Sequence, residues 1–125
     1  DKLYKQAWVL REKGSGTRET FDRVFGKNQK NMTIRLELEH TEAIKRAVES
    51  GIGIGCISRL ALKDEFERGN LVALDVKSIK LDRYFYFLWH KSKYQANGIK
   101  QFLIMCNDMT AGLGRSDQIN LPIIT

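Results

Sequence analysis

Ile34-Arg35-Leu36-Glu37-Leu38-Glu39-His40-Thr41-Glu42-Ala43-Ile44-Lys45-Arg46-Ala47-Val48-Glu49-Ser50-Gly51-Ile52-Gly53-Ile54-Gly55-Cys56-Ile57 changes its hydrophobic period twice. In residues 34–38 apolar and charged side chains alternate, with Ile34, Leu36 and Leu38 on one side, which predicts a half-buried strand. Thr41 suits a helix N-cap. Ile44, Ala47 and Val48 form the apolar stripe of that helix, and Gly51 stops it. Residues 52–57 are then a continuous run of β-branched residues and glycine, the pattern of a fully buried strand in a parallel sheet. Strand, helix and strand in this order set the expectation of an α/β fold.

The flanks repeat the alternation. Residues 6–11 read as a strand, Gly14-Ser15-Gly16-Thr17 as a turn, and residues 18–25 as a helix with Phe21, Val24 and Phe25 on one face. Downstream, residues 60–68 read as a helix ended by Gly69-Asn70, residues 71–74 as a short strand, and residues 84–89 (YFYFLW) as a strong strand with apolar residues on both faces. Ile99, Phe102, Leu103 and Cys106 mark a last helix, and the pattern dissolves into a tail from Thr110. The expected architecture is a mostly parallel sheet flanked by helices.

With 125 residues, 42% of them hydrophobic, the chain suits one compact domain. No apolar run approaches the roughly 20 residues of a membrane helix. Asp1-Lys2-Leu3-Tyr4-Lys5 has no signal-peptide core, and the abrupt start suits an excised fragment. The net charge of +6 raises the question of nucleic acid, but the basic residues are dispersed and interleaved with acids, as in Lys63-Asp64-Glu65. That is the pattern of a solvated surface. Cys56 and Cys106 belong to no CxxC pair and lie in apolar segments, so they are expected to be buried thiols in a reducing compartment.

The main chemical candidate is Gly14-Ser15-Gly16-Thr17-Arg18, which follows a strand and opens a helix. Such a junction aims unpaired backbone N–H groups at one spot, and the helix dipole makes that spot positive. Ser15 and Thr17 add hydroxyls, and Arg18 adds a cationic fork suited to an oxyanion. The bland reading is a well-capped helix in which Glu19 offsets Arg18. The loop is not a nucleotide P-loop, because GxxxxGK[ST] is absent. Glu39-His40-Thr41 is a second junction of the same kind, and in a parallel sheet both lie at the strands' C-terminal edge, where ligands bind. His40 either donates to an anion or is an exposed turn histidine. Catalysis finds no support: Ser15 lacks the GxSxG elbow, no nucleophile is tied to His40 or His90, and no metal-ligand spacing is present.

Residues 8–18 (WVLREKGSGTR) resemble the strand and loop that enter the second subdomain of LysR-type effector domains. Residues 41–54 (TEAIKRAVESGIGI) resemble that family's most characteristic helix-to-strand segment. Arg59-Leu60-Ala61-Leu62, Glu67-Arg68-Gly69-Asn70-Leu71-Val72 and Tyr86-Phe87-Leu88-Trp89-His90-Lys91 continue the match in order. The resemblance implies a type 2 periplasmic-binding-protein-like fold. Residues 1–83 would be the second subdomain, residues 84–109 the returning strand and helix of the first, and residues 110–125 a flexible tail. It implies a cytoplasmic, homo-oligomeric transcriptional regulator, dimeric or higher, that is not an enzyme, needs no cofactor and touches no membrane. Its partner would be a small anionic effector. DNA would be bound only through a helix-turn-helix domain preceding Trp8. The implied ligand residues are Ser15, Gly16, Thr17, Arg18, Glu39, His40, Thr41 and Ser58. Serine stands at 58 where the family often has proline, which frees a hydroxyl and an N–H at the cleft edge. The loop of residues 14–18 is similar to regulators of sulphur assimilation or carbon fixation, which implies an oxyanion such as sulfite or sulfate, or a carboxylate. A solute-binding domain of a transport system is the alternative.

Overall fold

Ala7–Arg11 (β1) is the centre of a three-stranded parallel sheet of order β2-β1-β3, with β2 at Thr33–Leu38 and β3 at Ile54–Gly55. The computed structural model describes residues 2–92 and 94–119. Alternation along β1 decides the layers. Trp8 and Leu10 face one way and pack with Phe21 and Phe25 of the helix α1 (Gly16–Phe25). Val9 faces the other way and packs with Ile44 and Ala47 of the helix α2 (Thr41–Glu49). One strand therefore carries core on both sides, as a central parallel strand must. The aromatic half is interlocked edge to face, with Trp8 4.9 Å from Phe21 and 5.5 Å from Phe25.

The chain leaves β1 through α1 to β2, then crosses by α2 to β3 on the far side of β1. This reversal of direction is a topological switch, and the parallel pairing leaves the C-terminal ends of all three strands on one edge. The 3-10 turn Arg59–Leu62 and the helix α3 (Lys63–Arg68) follow β3. Lys45 of α2 pins them by donating to the Ala61 carbonyl at 3.0 Å and to Glu65 at 2.9 Å.

Several expectations change. The buried run of residues 52–57 contributes only Ile54–Gly55 to the sheet, and these residues are half-buried to exposed, because β1 is its one neighbour among the described residues. Gly53 lies so close to β1 that a Cβ there would stand 2.3 Å from the Ala7 carbonyl oxygen. Residues 71–74 and 84–89 are not strands: the described sheet holds only β1, β2 and β3, and a strand forms only where a neighbour takes its backbone groups. Thr41 is the first residue of α2, and His40 occupies the N-cap without a side-chain capping bond.

The chain divides into two units, one up to Arg83 and one from Tyr84. The second is built on the helix α4 (Asn97–Thr110), with Phe102 meeting Phe87 edge to face at 5.8 Å. A 3-10 turn follows at Ser116–Gln118. Of the expected flexible tail, residues 120–125 lie outside the described residues. Among the described residues no helix is long and apolar enough to cross a membrane.

Candidate functional site

The β1–α1 loop turns at Gly14, whose φ of 93° is strained for any residue with a Cβ. Ser15 then caps α1. Its Oγ accepts the Arg18 backbone N–H at 3.1 Å, and its own N–H donates to the Glu12 carbonyl at 3.3 Å. A helix leaves its first N–H groups without intrahelical acceptors. With Arg18 served by Ser15, the amides of Gly16 and Thr17 are the donors left at the positive end of α1.

A cation lies beside them. Arg83 donates from Nη1 to Thr17 Oγ1 at 3.3 Å, and its guanidinium is the atom group that a Cβ on Gly16 would meet. Asp82 is anchored next to it, its carbonyl accepting Arg23 of α1 at 3.0 Å. The charge of Arg83 also reaches Cys56, just past β3. Burial pushes the Cys56 thiol up to about 11, with Arg83 opposing. Cys56 and Cys106 are both free, half-buried thiols.

The β2–α2 junction is tied to β1 by a second arginine. Arg11 grips Glu12 at 2.7 and 2.9 Å and donates from Nη1 to Thr41 Oγ1 at 3.4 Å. Hydrogen bonding from Arg11, reinforced by nearby His40, holds the Glu12 carboxyl below the usual carboxylate range. Glu39 and His40 are exposed on this loop. Ser58 occupies the N-cap position of the turn after β3 at the same sheet edge, half-buried and with no side-chain capping bond.

Of the expected ligand residues, Ser15, Gly16 and Thr17 line the α1 amino terminus, Thr41 is held across β1, and Ser58 stands on the third junction. Arg18 departs from expectation. Its side chain is 3% exposed and turns away beneath the loop, donating to Asp22 at 2.8 Å, Glu37 at 2.6 Å and the Arg11 carbonyl at 2.9 Å. The carboxylates take Nε and Nη1, two of the three nitrogens of the fork expected to meet an oxyanion. Arg83 and Arg11 were not foreseen. Arg83 lies in Lys80-Leu81-Asp82-Arg83, where mixed charge reads as surface, and nothing local says that this segment returns to α1. Among the described residues no group of His, Cys, Asp and Glu could hold a metal ion.

Residues 1–111 match the family described as the LysR substrate binding domain. The chain is 36% identical over 107 residues to the HTH-type transcriptional regulator YeiE of Escherichia coli (strain K12), covering 86% of this chain and 36% of that protein. It is 35% identical over 103 residues to the HTH-type transcriptional activator CmpR of Synechocystis sp., covering 82% and 34%. It is 33% identical over 92 residues to the RuBisCO operon transcriptional regulator of Allochromatium vinosum, covering 74% and 30%. The chain thus spans about a third of the length of these relatives. The parallel sheet with helices on both faces is the periplasmic-binding-protein-like architecture of such domains, and this chain belongs to the LysR substrate binding domain family.

Proposed function

We propose that this chain is the effector-sensing part of a LysR-type transcriptional regulator and that it takes a small anion at the β1–α1 junction. In this reading residues 1–83 are the second subdomain and residues 84–109 return to the first. A separate helix-turn-helix domain of the whole protein binds DNA, and the whole protein works as a homo-oligomer. The observation that carries the anionic effector is the Arg83 guanidinium lodged beside Thr17, at the positive end of α1 and at the edge where all three parallel strands end. A cation there opposes the helix dipole. A bound oxyanion or carboxylate would neutralise both, accepting from the Gly16 and Thr17 amides, the Thr17 hydroxyl and Arg83. Thr41 and Ser58 border the same edge, and Arg18 supports the loop from below. The relatives are transcriptional regulators, which favours this reading over a transport protein.

Calorimetric titration with sulfate, sulfite and small carboxylates tests it. At least one anion is expected to bind, and Thr17→Ala is expected to weaken it by about 0.5–1.5 kcal/mol, the worth of one hydrogen bond. Arg83→Gln is expected to weaken it further without unfolding the chain, because Arg83 is exposed. Unchanged affinity in Thr17→Ala, Ser15→Ala and Arg83→Gln together would remove this loop from the site.

A further inference from the structure

The arginine of the Gly14-Ser15-Gly16-Thr17-Arg18 loop has the chemistry of an anion ligand and the surroundings of something else. Its guanidinium is buried against two carboxylates, Asp22 and Glu37, and the Arg11 carbonyl. Asp22 is itself braced by Gln29 Nε2 at 2.5 Å. The Arg18 Nε and Nη1 are taken by these acceptors, and one cation between two carboxylates presents net negative charge to an incoming anion.

The three acceptors belong to three different places. Asp22 lies one turn further along α1, the Arg11 carbonyl is the last of β1, and Glu37 is near the end of β2. Arg18 is also the third residue of α1, its amide bonded to the Ser15 cap. The side chain therefore fixes the first turn of α1 over the ends of β1 and β2. Arg11 extends the tie from the same point, its side chain reaching Thr41 at the start of α2. We infer that Arg18 is a positioning residue, acting through Glu37 and the Arg11 carbonyl to aim the Gly16 and Thr17 amides, while Arg83 supplies the cation that meets the ligand. This rests on the anion reading proposed above and divides its labour between the two arginines.

Glu37→Gln separates the roles by the sign of its effect. If Arg18 contacts the anion, removing a competing carboxylate frees the guanidinium, and sulfate binds more tightly. If Arg18 positions the loop, the tie slackens and sulfate binds more weakly, by roughly three- to tenfold. The chain carrying each variant is titrated with inorganic sulfate after its unliganded thermal midpoint has been recorded, so that affinity is compared between folded proteins. Weaker binding in Glu37→Gln, and in Arg18→Lys despite the retained charge, is the expected result. Asp22→Asn gives the same comparison from the other carboxylate should Glu37→Gln fail to fold. Tighter binding in Glu37→Gln or Asp22→Asn overturns the inference in favour of direct contact. A lowered midpoint with unchanged affinity overturns it in favour of a purely structural ion pair. If the parent chain binds no sulfate, both the oxyanion reading and this inference fall; if the parent binds and only the sign is reversed, the inference alone falls.

Discussion

Gly53 shows how a single residue is constrained by a neighbour distant in sequence. Its φ is not in the left-handed region, so conformation alone would permit alanine, yet an added Cβ would meet backbone of β1 rather than a side chain that can swing away. Gly53→Ala is therefore expected to push β3 off β1 and destabilise the chain by about 1–3 kcal/mol, the usual cost of overpacking. Urea denaturation checks this, and an unchanged midpoint would mean that β3 shifts freely. Arg18 and Arg83 give the complementary lesson for the site. Arg18 was visible in sequence as a cation in a suggestive loop, but its partner Glu37 lies 19 residues away and only the fold brings them together. Arg83 lies 66 residues from Thr17 and carries no local signal at all. The candidate loop was thus legible while the identity of its cation was not.

At the scale of elements, α2 joins the sheet through apolar residues and joins α3 through charge. Lys45 lies between Glu42 at 2.7 Å and Glu65 at 2.9 Å, and Lys45 and Glu65 are nearly enclosed. Hydrogen bonding from Lys45 holds the Glu65 carboxyl below its ordinary value of 4.5. A carboxyl with a depressed folded pKa stabilises the fold above its unfolded pKa, and that contribution is lost as pH falls through the folded value. Glu65→Gln is expected to be less stable than the parent at neutral pH, with the gap narrowing once the pH drops below 4.5. Urea midpoints measured from neutral to about pH 3 would show it, and a constant gap would count against the ion pair. The periodicity of α2 was readable in its Ile44 and Ala47 stripe, but nothing in that stripe revealed that Lys45, next to Ile44, is also enclosed.

At the scale of the whole molecule, the segment of residues 84–89 stands out. Tyr84, Phe85, Tyr86, Phe87, Leu88 and Trp89 are 53–92% exposed. Contiguous apolar surface of this kind finds a partner, so the chain is expected to self-associate, and Phe87→Ser with Trp89→Ser to reduce that association. Light scattering coupled to chromatography measures it, and a clean monomer at high concentration would overturn the expectation. The same segment marks the boundary of what sequence can say. Local periodicity and turn chemistry by themselves determined the α/β alternation, the helix stripes, the helix end at Gly69, and the loop that opens α1, because each depends on residues a few positions apart. Only the tertiary structure decided that β1 is central, that α1 and α2 lie on opposite faces, that Arg18 is sequestered and Arg83 recruited, and that residues 84–89 join no described strand. Those outcomes depend on which distant groups meet, and a strand or an ion pair exists only when its partner arrives.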